Sequence, residues 1–599
     1  MRPLPYNHVI KPLLLPAMLT SFGLAAGLGC AVPLETFDNN GALAVAVPDG
    51  KADGSGFTEC ELDAVVDWLN TPNTQLSTLQ QAGVNRRAAT GLMDHRNGLD
   101  RLMGTEDDDL FDDIVEVDDV HWVGPSTMRS LVGSVQERCQ EADAGDVQVI
   151  FSPQPFEQSH LAATIEIIDS ARRSVDIAMY SFRDNRVLNS VERAVQRGVT
   201  VRVVSNNAAD DRNDDGGGIS GDLEDIGAEV RWINKIMHHK FALVDGVQTS
   251  LEQIHDATLI TGSGNWSTSA GTRYDENTLI IRSNQELLLA FQAEFNHLWD
   301  NGRPFEWNES IQTPGVAEVS QEAIPDSASA EALFTSANFR HYESTRYGPT
   351  FSPEPGMTTV ADRLVELIWS AEESIDIASG HLRSRPISEA LIAKRAADPR
   401  IAIRVLLDGQ EYVSEWAHNN QQNELEECLE EAGADEGDRE DCLARGYYFG
   451  YECSQAGIDV RYKYYSYRWH YSYAEQMHHK YLIIDGRTVA TGSYNLSDNA
   501  ERNTMENMVI LDGEVFPELV NSFMRNFNDL WDDPSDAAAY EDLMNDIVDG
   551  DGFPLVFEPM VIEWDAITEL KRTMRENCSD INSNEFRSNP RAHTYCPGN

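Results

Sequence analysis

The sequence predicts an α/β protein of two homologous halves, preceded by a small all-α domain. From Val147 onward, short β-branched runs alternate with stretches at helical spacing, the texture of strand–helix units. The alternation breaks after residue 301 and restarts at 357, where Ser374-Ile375-Asp376-Ile377-Ala378 repeats Ser174-Val175-Asp176-Ile177-Ala178. A polar pattern repeats with it. Met237-His238-His239-Lys240-Phe241-Ala242-Leu243-Val244-Asp245 is matched 240 positions later by Met477-His478-His479-Lys480-Tyr481-Leu482-Ile483-Ile484-Asp485. Thr261-Gly262-Ser263-Gly264-Asn265 and Glu276 return 230 positions on as Thr491-Gly492-Ser493-Tyr494-Asn495 and Glu506. The difference is the longer hairpin of copy one, Val247 to Ala257. Polar residues repeated this closely inside apolar strands point to chemistry rather than packing.

In chain order, Arg2 and Lys11 precede an apolar run from Leu13 to Leu28, too short and too early for a spanning helix. Residues 1–30 read as an export signal, and Leu24 to Cys30 resembles a bacterial lipoprotein cleavage site with Cys30 as the lipidated residue. An exported envelope or secreted protein is expected, with membrane attachment through that anchor. Residues 31–57, rich in Gly, Ala, Asn and Asp, read as a flexible tether.

Residues 58–142 read as the helical domain, with Leu62, Val65, Val66 and Leu69 at helical spacing and Leu131, Val132 and Val135 again later. Gly124 and Pro125 set a tight turn between two helices. The stretch Val120 to Ser126 resembles helix-hairpin-helix repeats. Leu79 to Arg96, with Arg86, Arg87 and Arg96, would be the companion hairpin. That resemblance implies a DNA contact through backbone N–H groups, opposed by the acids crowding Glu106 to Asp119.

The first half spans 147–301: a strand at Val147–Phe151, a helix at His160–Arg173, a strand at Val175–Tyr180, a helix at Asn185–Arg197 and a strand at Val201–Val204. Residues 302–356, rich in Pro, Ser and Glu, read as a linker. The second half spans 357–532, with helices at Val360–Ser370 and Pro386–Ala396 and a strand at Ile401–Leu407. An acidic insertion with three cysteines lies between Asp408 and Gly457. The tail, 533–599, is left without elements.

Composition narrows the function. A hydrophobic content of 41% suits a globular chain, and a formal charge of −53 opposes general attraction to nucleic acid or anionic lipid. Eight cysteines in an exported chain suggest disulfides. Cys60 with Cys139 would bracket one segment, Cys578 with Cys596 would staple the tail, and two of Cys428, Cys442 and Cys453 would pair.

Strand geometry puts His238 and Lys240 on one face with His239 on the other, and likewise His478 and Lys480 against His479. Turns bearing Ser263 and Asn265, or Ser493 and Asn495, add hydroxyl and amide donors. Such donors converging would bind a tetrahedral anion, most simply a phosphodiester. The two imidazoles supply a nucleophile and a proton donor.

The pattern His-x-Lys-x4-Asp followed by Gly-Ser-x-Asn, intact twice, resembles the phospholipase D superfamily. That resemblance implies two phospholipase D-like α/β domains in pseudo-two-fold arrangement, a phosphohistidine intermediate, and no metal or cofactor. It implies His238 as nucleophile and His478 as acid and base. Lys240, Lys480, Asn265 and Asn495 would bind phosphate with Ser263 and Ser493 in support. Glu276 and Glu506 would orient the imidazoles, and Asp245 and Asp485 would hold the architecture.

Two other stretches carry expectations. Asp211, Asn213, Asp215 and Asp222 partly match a calcium loop, with Ile219 and the terminal aspartate departing from it. Tyr462, Tyr464, Tyr465, Tyr467, Trp469, Tyr471 and Tyr473 lead into the second motif, as a core strand or as a lipid- or base-stacking surface. The expected function is phospholipid headgroup cleavage by a monomer. The alternatives are an exported nuclease, since Phe151-Ser152-Pro153 and Ile177 to Phe182 resemble small endonucleases of the superfamily, and a non-catalytic binding lipoprotein.

Overall fold

Two eight-stranded mixed sheets with the same strand order carry the repeat. The computed structural model describes residues 59–597 apart from 72–73, 99, 102, 106, 136–145, 207–217, 306–310, 326–328 and 550–551. Cys30, the export signal, the tether, Cys139, and calcium-loop positions Asp211, Asn213 and Asp215 lie outside the described residues. Asp222 is on the helix Gly218–Asp225.

The first sheet contains β1 (Asp146–Ser152), β2 (Ser174–Met179), β3 (Thr200–Ser205), β4 (Glu229–Trp232), β5 (Lys240–Val244), β6 (Thr258–Gly262), β7 (Glu276–Arg282) and β8 (Arg303–Pro304), in spatial order β1-β7-β6-β5-β2-β3-β4-β8. The second contains β9 (Ala330–Phe334), β10 (Ser374–Ser379), β11 (Ala402–Asp408), β12 (Asp459–Ser466), β13 (Lys480–Ile484), β14 (Thr488–Gly492), β15 (Asn507–Asp512) and β16 (Val556–Glu563), in the matching order β9-β15-β14-β13-β10-β11-β12-β16. In each sheet the first three α/β strands run parallel, and the motif strand returns antiparallel beside the first of them. The central strands are buried on both faces, which is why they read as continuous apolar runs.

The halves interlock. Helix α1 (Gln285–Asp300) follows β7 and packs on β9 of the second sheet, and α2 (Pro517–Trp531) follows β15 and packs on β1 of the first. Leu288, Phe291, Phe295 and Leu298 recur at helical spacing on α1, as Leu519, Phe523, Phe527 and Trp531 do on α2. These side chains join Phe241 and Tyr481 in one core between the sheets. Each half also has an outer core of its own.

Two expectations change here, the linker and the tail. The stretch 302–356 supplies edge strands to both sheets and a hairpin, Phe339–Ser344 with Gly348–Pro353. The tail holds the helix Ser535–Asp549, β16 on the edge of the second sheet, and the helix Trp564–Asn577. Leu543, Ile547, Ile567, Leu570 and Met574 form its buried stripe between acids. Cys428 pairs with Cys442 between two helices of the insertion and Cys578 with Cys596 in the tail, leaving Cys453 a buried thiol.

The N-terminal domain holds two short-helix, turn, longer-helix units, Leu76–Gln81 with Arg86–Arg96 and Ile114–Asp119 with Pro125–Gly133. Arg96, carried by the expected companion hairpin, is buried, its guanidinium donating to the carbonyls of Leu69, Thr71 and Thr74. Arg87 lies over the ring of Trp122. Among the described residues no helix is long and apolar enough to cross a membrane.

Candidate active site

The motif strands stop one residue short of their histidines, and the backbone there pairs with the other half. The His238 N–H donates to the Met505 carbonyl, and the His478 N–H to the Asp275 carbonyl. That exchange sets each imidazole against a carboxylate from the opposite repeat. His238 Nδ1 lies 2.9 Å from Glu506 Oε2, and His478 Nδ1 lies 2.8 Å from Glu276 Oε1.

The residues following those glutamates cross as well. Asn277 Nδ2 sits 3.2 Å from His479 Nδ1, and Asn507 Nδ2 sits 3.0 Å from His239 Nδ1. The same asparagines accept from Thr491 and Thr261. His239 and His479 thus point away from the cleft and lock the halves together. His239 has a further partner in Glu294, whose other oxygen accepts from Ser336.

Lys240 and Lys480 are buried, each ammonium 2.7 Å from the carbonyl oxygen of its own motif histidine. Lys240 Nζ also lies 3.1 and 3.2 Å from the two ring nitrogens of His238. Burial is the largest influence on all these groups. It pushes the His238 and His478 imidazoles well below their ordinary range, with Lys240 and Lys480 adding to the effect. It raises the carboxyls of Glu276 and Glu506 to about 7, and lowers Lys240 to about 7 and Lys480 to about 8. A neutral imidazole facing a carboxylate at Nδ1 keeps its proton there, so the lone pair is at Nε2.

Asn265 and Asn495 are partly exposed on the turns after β6 and β14, and each Oδ1 is buried with no hydrogen-bond partner among the described residues. Ser263 and Ser493 are placed differently from expectation. Both are fully buried, their hydroxyls accepting from the N–H groups of Asn277 and Asn507, and Ser493 donates to Glu506. They brace the carboxylate strands instead of facing a phosphate.

The repeats differ where Gly264 stands opposite Tyr494. A Cβ on Gly264 would fall 2.8 Å from Thr278 Oγ1 and 3.1 Å from His160 Nε2. His160 occupies that space because its ring bonds the Asn265 carbonyl at 3.0 Å and holds the turn.

Asp245 and Asp485 lie at the far end of the motif strands with φ of 56° and 54°. The Asp245 carboxylate accepts from the N–H groups of Arg172, Arg173 and Ser174, and Asp485 from those of Glu372, Glu373 and Ser374. They pin the strand to the entry of its neighbour and touch nothing in the cleft.

Two cleft residues escaped the sequence reading. The Tyr180 ring is 4.4 Å from that of His238, whereas the corresponding position in the second half is Gly380, close against the His478 backbone. Next to it, His381 Nδ1 bonds Glu411 at 2.9 Å, and its imidazole acts electrostatically on both His238 and His478. The signal was the mismatch of Gly380-His381 with Tyr180-Ser181 inside otherwise matching strands.

A family model described as "Cardiolipin synthase, PLD-like domain" matches residues 164–299 and 364–531. The chain belongs to the phospholipase D superfamily. Mitochondrial cardiolipin hydrolase of Drosophila melanogaster is 33% identical over 166 residues, covering 26% of this chain and 62% of the relative. The Homo sapiens protein of that name is 34% identical over 155 residues, covering 26% and 56%. The chain thus spans less than two thirds of the length of these relatives. Among solved structures, the phospholipase D family member Nuc from Salmonella typhimurium is 29% identical, covering 26% of this chain and 97% of Nuc, with a TM-score of 0.23. Phosphatidylserine synthase from Haemophilus influenzae is 13% identical, covering 66% and 90%, with a TM-score of 0.40.

Proposed function

We propose that this superfamily member is a phosphodiester hydrolase that cleaves phospholipid headgroups through a phosphohistidine. The observation that carries the reading is the reciprocal pairing of His238 with Glu506 and His478 with Glu276, flanked by buried Lys240 and Lys480. His238 Nε2 attacks phosphorus, the N–P bond forms, and the bond to the leaving alcohol oxygen breaks. His478 gives that oxygen its proton. The neutral His478 then takes a proton from water, whose oxygen displaces His238 and releases the phosphomonoester.

The contacts of the two lysines support this division of labour. Lys240 lies against both ring nitrogens of His238, and a cation there keeps the ring neutral, as a nucleophile must be. Among the described residues Lys480 bonds only the His478 carbonyl. An arriving phosphodiester brings negative charge that favours imidazolium at His478, so the proton donor is charged when substrate is bound. Both ammoniums stabilise charge growing on the phosphoryl oxygens.

Lipid is favoured over nucleic acid by the aromatic run. Tyr462, Tyr464 and Tyr465 are core side chains, whereas Trp469 and Tyr471, on the loop entering the second motif, are 36% and 61% exposed. Amphipathic aromatics in such a position suit a headgroup boundary. The net charge of −53 works against a long polyanion, and the relatives' name refers to a lipid. Two disulfides support an exported chain.

The test incubates residues 31–599 and its His238→Ala variant, in EDTA, with phosphatidylcholine or cardiolipin vesicles and separately with plasmid and single-stranded DNA. Headgroup release that vanishes in the variant is expected. DNA cleavage lost in the variant, with both vesicles untouched, would overturn the lipid reading.

A further inference from the structure

The chain has 99 acidic and 46 basic side chains, so a group of cations without carboxylates is out of keeping with its composition. Lys571, Arg468, Arg575 and Arg587 form such a group. The three arginines act together on the phenol of Tyr467, and Arg468 and Arg575 act on Lys571. Among the described residues no carboxylate pairs with any of the four. The contrast is on the same helix, Trp564–Asn577, where Arg572 pairs with both Glu569 and Glu576. Lys571 and Arg575, one turn apart, take the other face.

The Lys571 ammonium donates to the Tyr467 carbonyl at 2.8 Å, and the rings of Tyr412, Tyr464 and Tyr467 lie 4.7 to 5.9 Å away. It lines a cavity of about 130 Å³ that Gly409, Tyr465 and Trp469 also border, with the exposed Arg468 at the rim. Arg575 spends its Nε on the Lys571 carbonyl, and among the described residues no protein acceptor holds its terminal nitrogens. Burial holds Lys571 down to about 8, with Arg575 and Arg468 adding to it. A partly buried ammonium whose charged neighbours are cations lacks its counter-ion.

We propose that this cavity is a second anion site, built to take a phosphoryl group. The Lys571 ammonium and the Arg468 guanidinium bordering a space of that size match a tetrahedral oxyanion. The site stands behind the catalytic strand. The Tyr465 hydroxyl donates to Asp408, whose carboxylate accepts the Met477 N–H beside His478. Lys571, Arg575 and Arg587 all come from the tail, past the end of the family match at residue 531, and the Cys578–Cys596 disulfide closes that segment. Lys571 thus reaches a cavity otherwise walled by residues 409–469 from outside the family match, and the site does not depend on the chemistry assigned to His238.

The ligand is a free phosphate or a phosphomonoester headgroup, and calorimetry separates it from the catalytic cleft. In a Lys240→Met/Lys480→Met chain, inorganic phosphate is expected to bind with one equivalent. Adding Lys571→Met is expected to weaken it at least about tenfold, and Arg468→Gln, at an exposed position, several-fold. Absence of binding in that background, or binding undiminished by both substitutions in folded protein, would overturn the proposal. Phosphatidic acid vesicles then identify the source. Retention lost with Lys571→Met assigns the site to a headgroup, and retention unchanged while phosphate binding is lost assigns it to free phosphate.

Discussion

His238 and Glu506 are 268 positions apart in the chain, and the imidazole Nδ1 of the first lies 2.9 Å from a carboxylate oxygen of the second. His478 and Glu276 repeat the contact in the opposite direction at 2.8 Å. Neither repeat orients its own histidine, so the paired arrangement exists only where both are folded against each other.

Replacing Glu506 by Gln leaves the shape of the pair but removes the charge that fixes the Nδ1–H tautomer. The expected result is a fall in kcat of about 100-fold or more with little change in KM, by analogy with losing the carboxylate behind a catalytic histidine. Glu276→Gln is expected to behave alike, because in the proposed mechanism both histidines act in each turnover. Steady-state kinetics on a chromogenic phosphodiester measures it, and a loss below tenfold in both variants would remove the orienting role.

The two histidines separate in a trapping experiment. With a substrate whose leaving group needs no proton, His478→Ala still allows attack by His238 but slows hydrolysis of the intermediate. Acid-labile phosphate on His238 is expected to accumulate in that variant and to be absent in His238→Ala. Label on His478 in His238→Ala would reverse the assignment.

Above neutral pH the lysines govern substrate affinity. Burial lowers Lys240 to about 7 and Lys480 to about 8, so each ammonium is present below its value and lost as pH rises through it. Bound phosphodiester raises both, so the effect belongs to the free enzyme. The expected kcat/KM falls from about pH 7 upward and more steeply above about pH 8, while kcat holds to higher pH. A flat kcat/KM profile between pH 7 and 10 would contradict it.

Much of this arrangement is legible in the sequence because repetition marks it. Motif strands, glutamates and turn asparagines stand at fixed offsets, and period-two alternation assigns His238 and His239 to opposite faces. The exchange between halves is not legible, since the offset from His238 to Glu276 within one repeat says nothing of which imidazole that glutamate meets. The same holds for Ser263 and Ser493, whose residue type suits a phosphate as well as the backbone N–H groups they bond. His381 and Lys571 were missed because neither belongs to a repeated pattern. Acids masked the tail, where the buried stripe of Ile567, Leu570 and Met574 runs between charged residues.

Asp245 and Asp485 carry a prediction of stability rather than rate. Each is a non-glycine residue at positive φ, a conformation that aspartate and asparagine tolerate better than most. Each carboxylate gathers three backbone N–H groups at the start of the neighbouring strand. Asp245→Ala is expected to cost about 1–3 kcal/mol, read as a lowered urea midpoint. For Asp485, burial opposes ionisation, but the N–H groups of Ser374, Glu372 and Glu373 outweigh it and hold the carboxyl below its ordinary 3.8. A depressed carboxyl contributes stability that is complete above the unfolded value and is lost as pH falls through the folded one. The difference in urea midpoint between the wild type and Asp485→Asn is therefore expected to hold steady from about pH 7 to 5 and to close below about pH 4. A difference that widened on acidification would mean that the N–H groups do not favour the ionised carboxylate, and that shape alone fixes this corner.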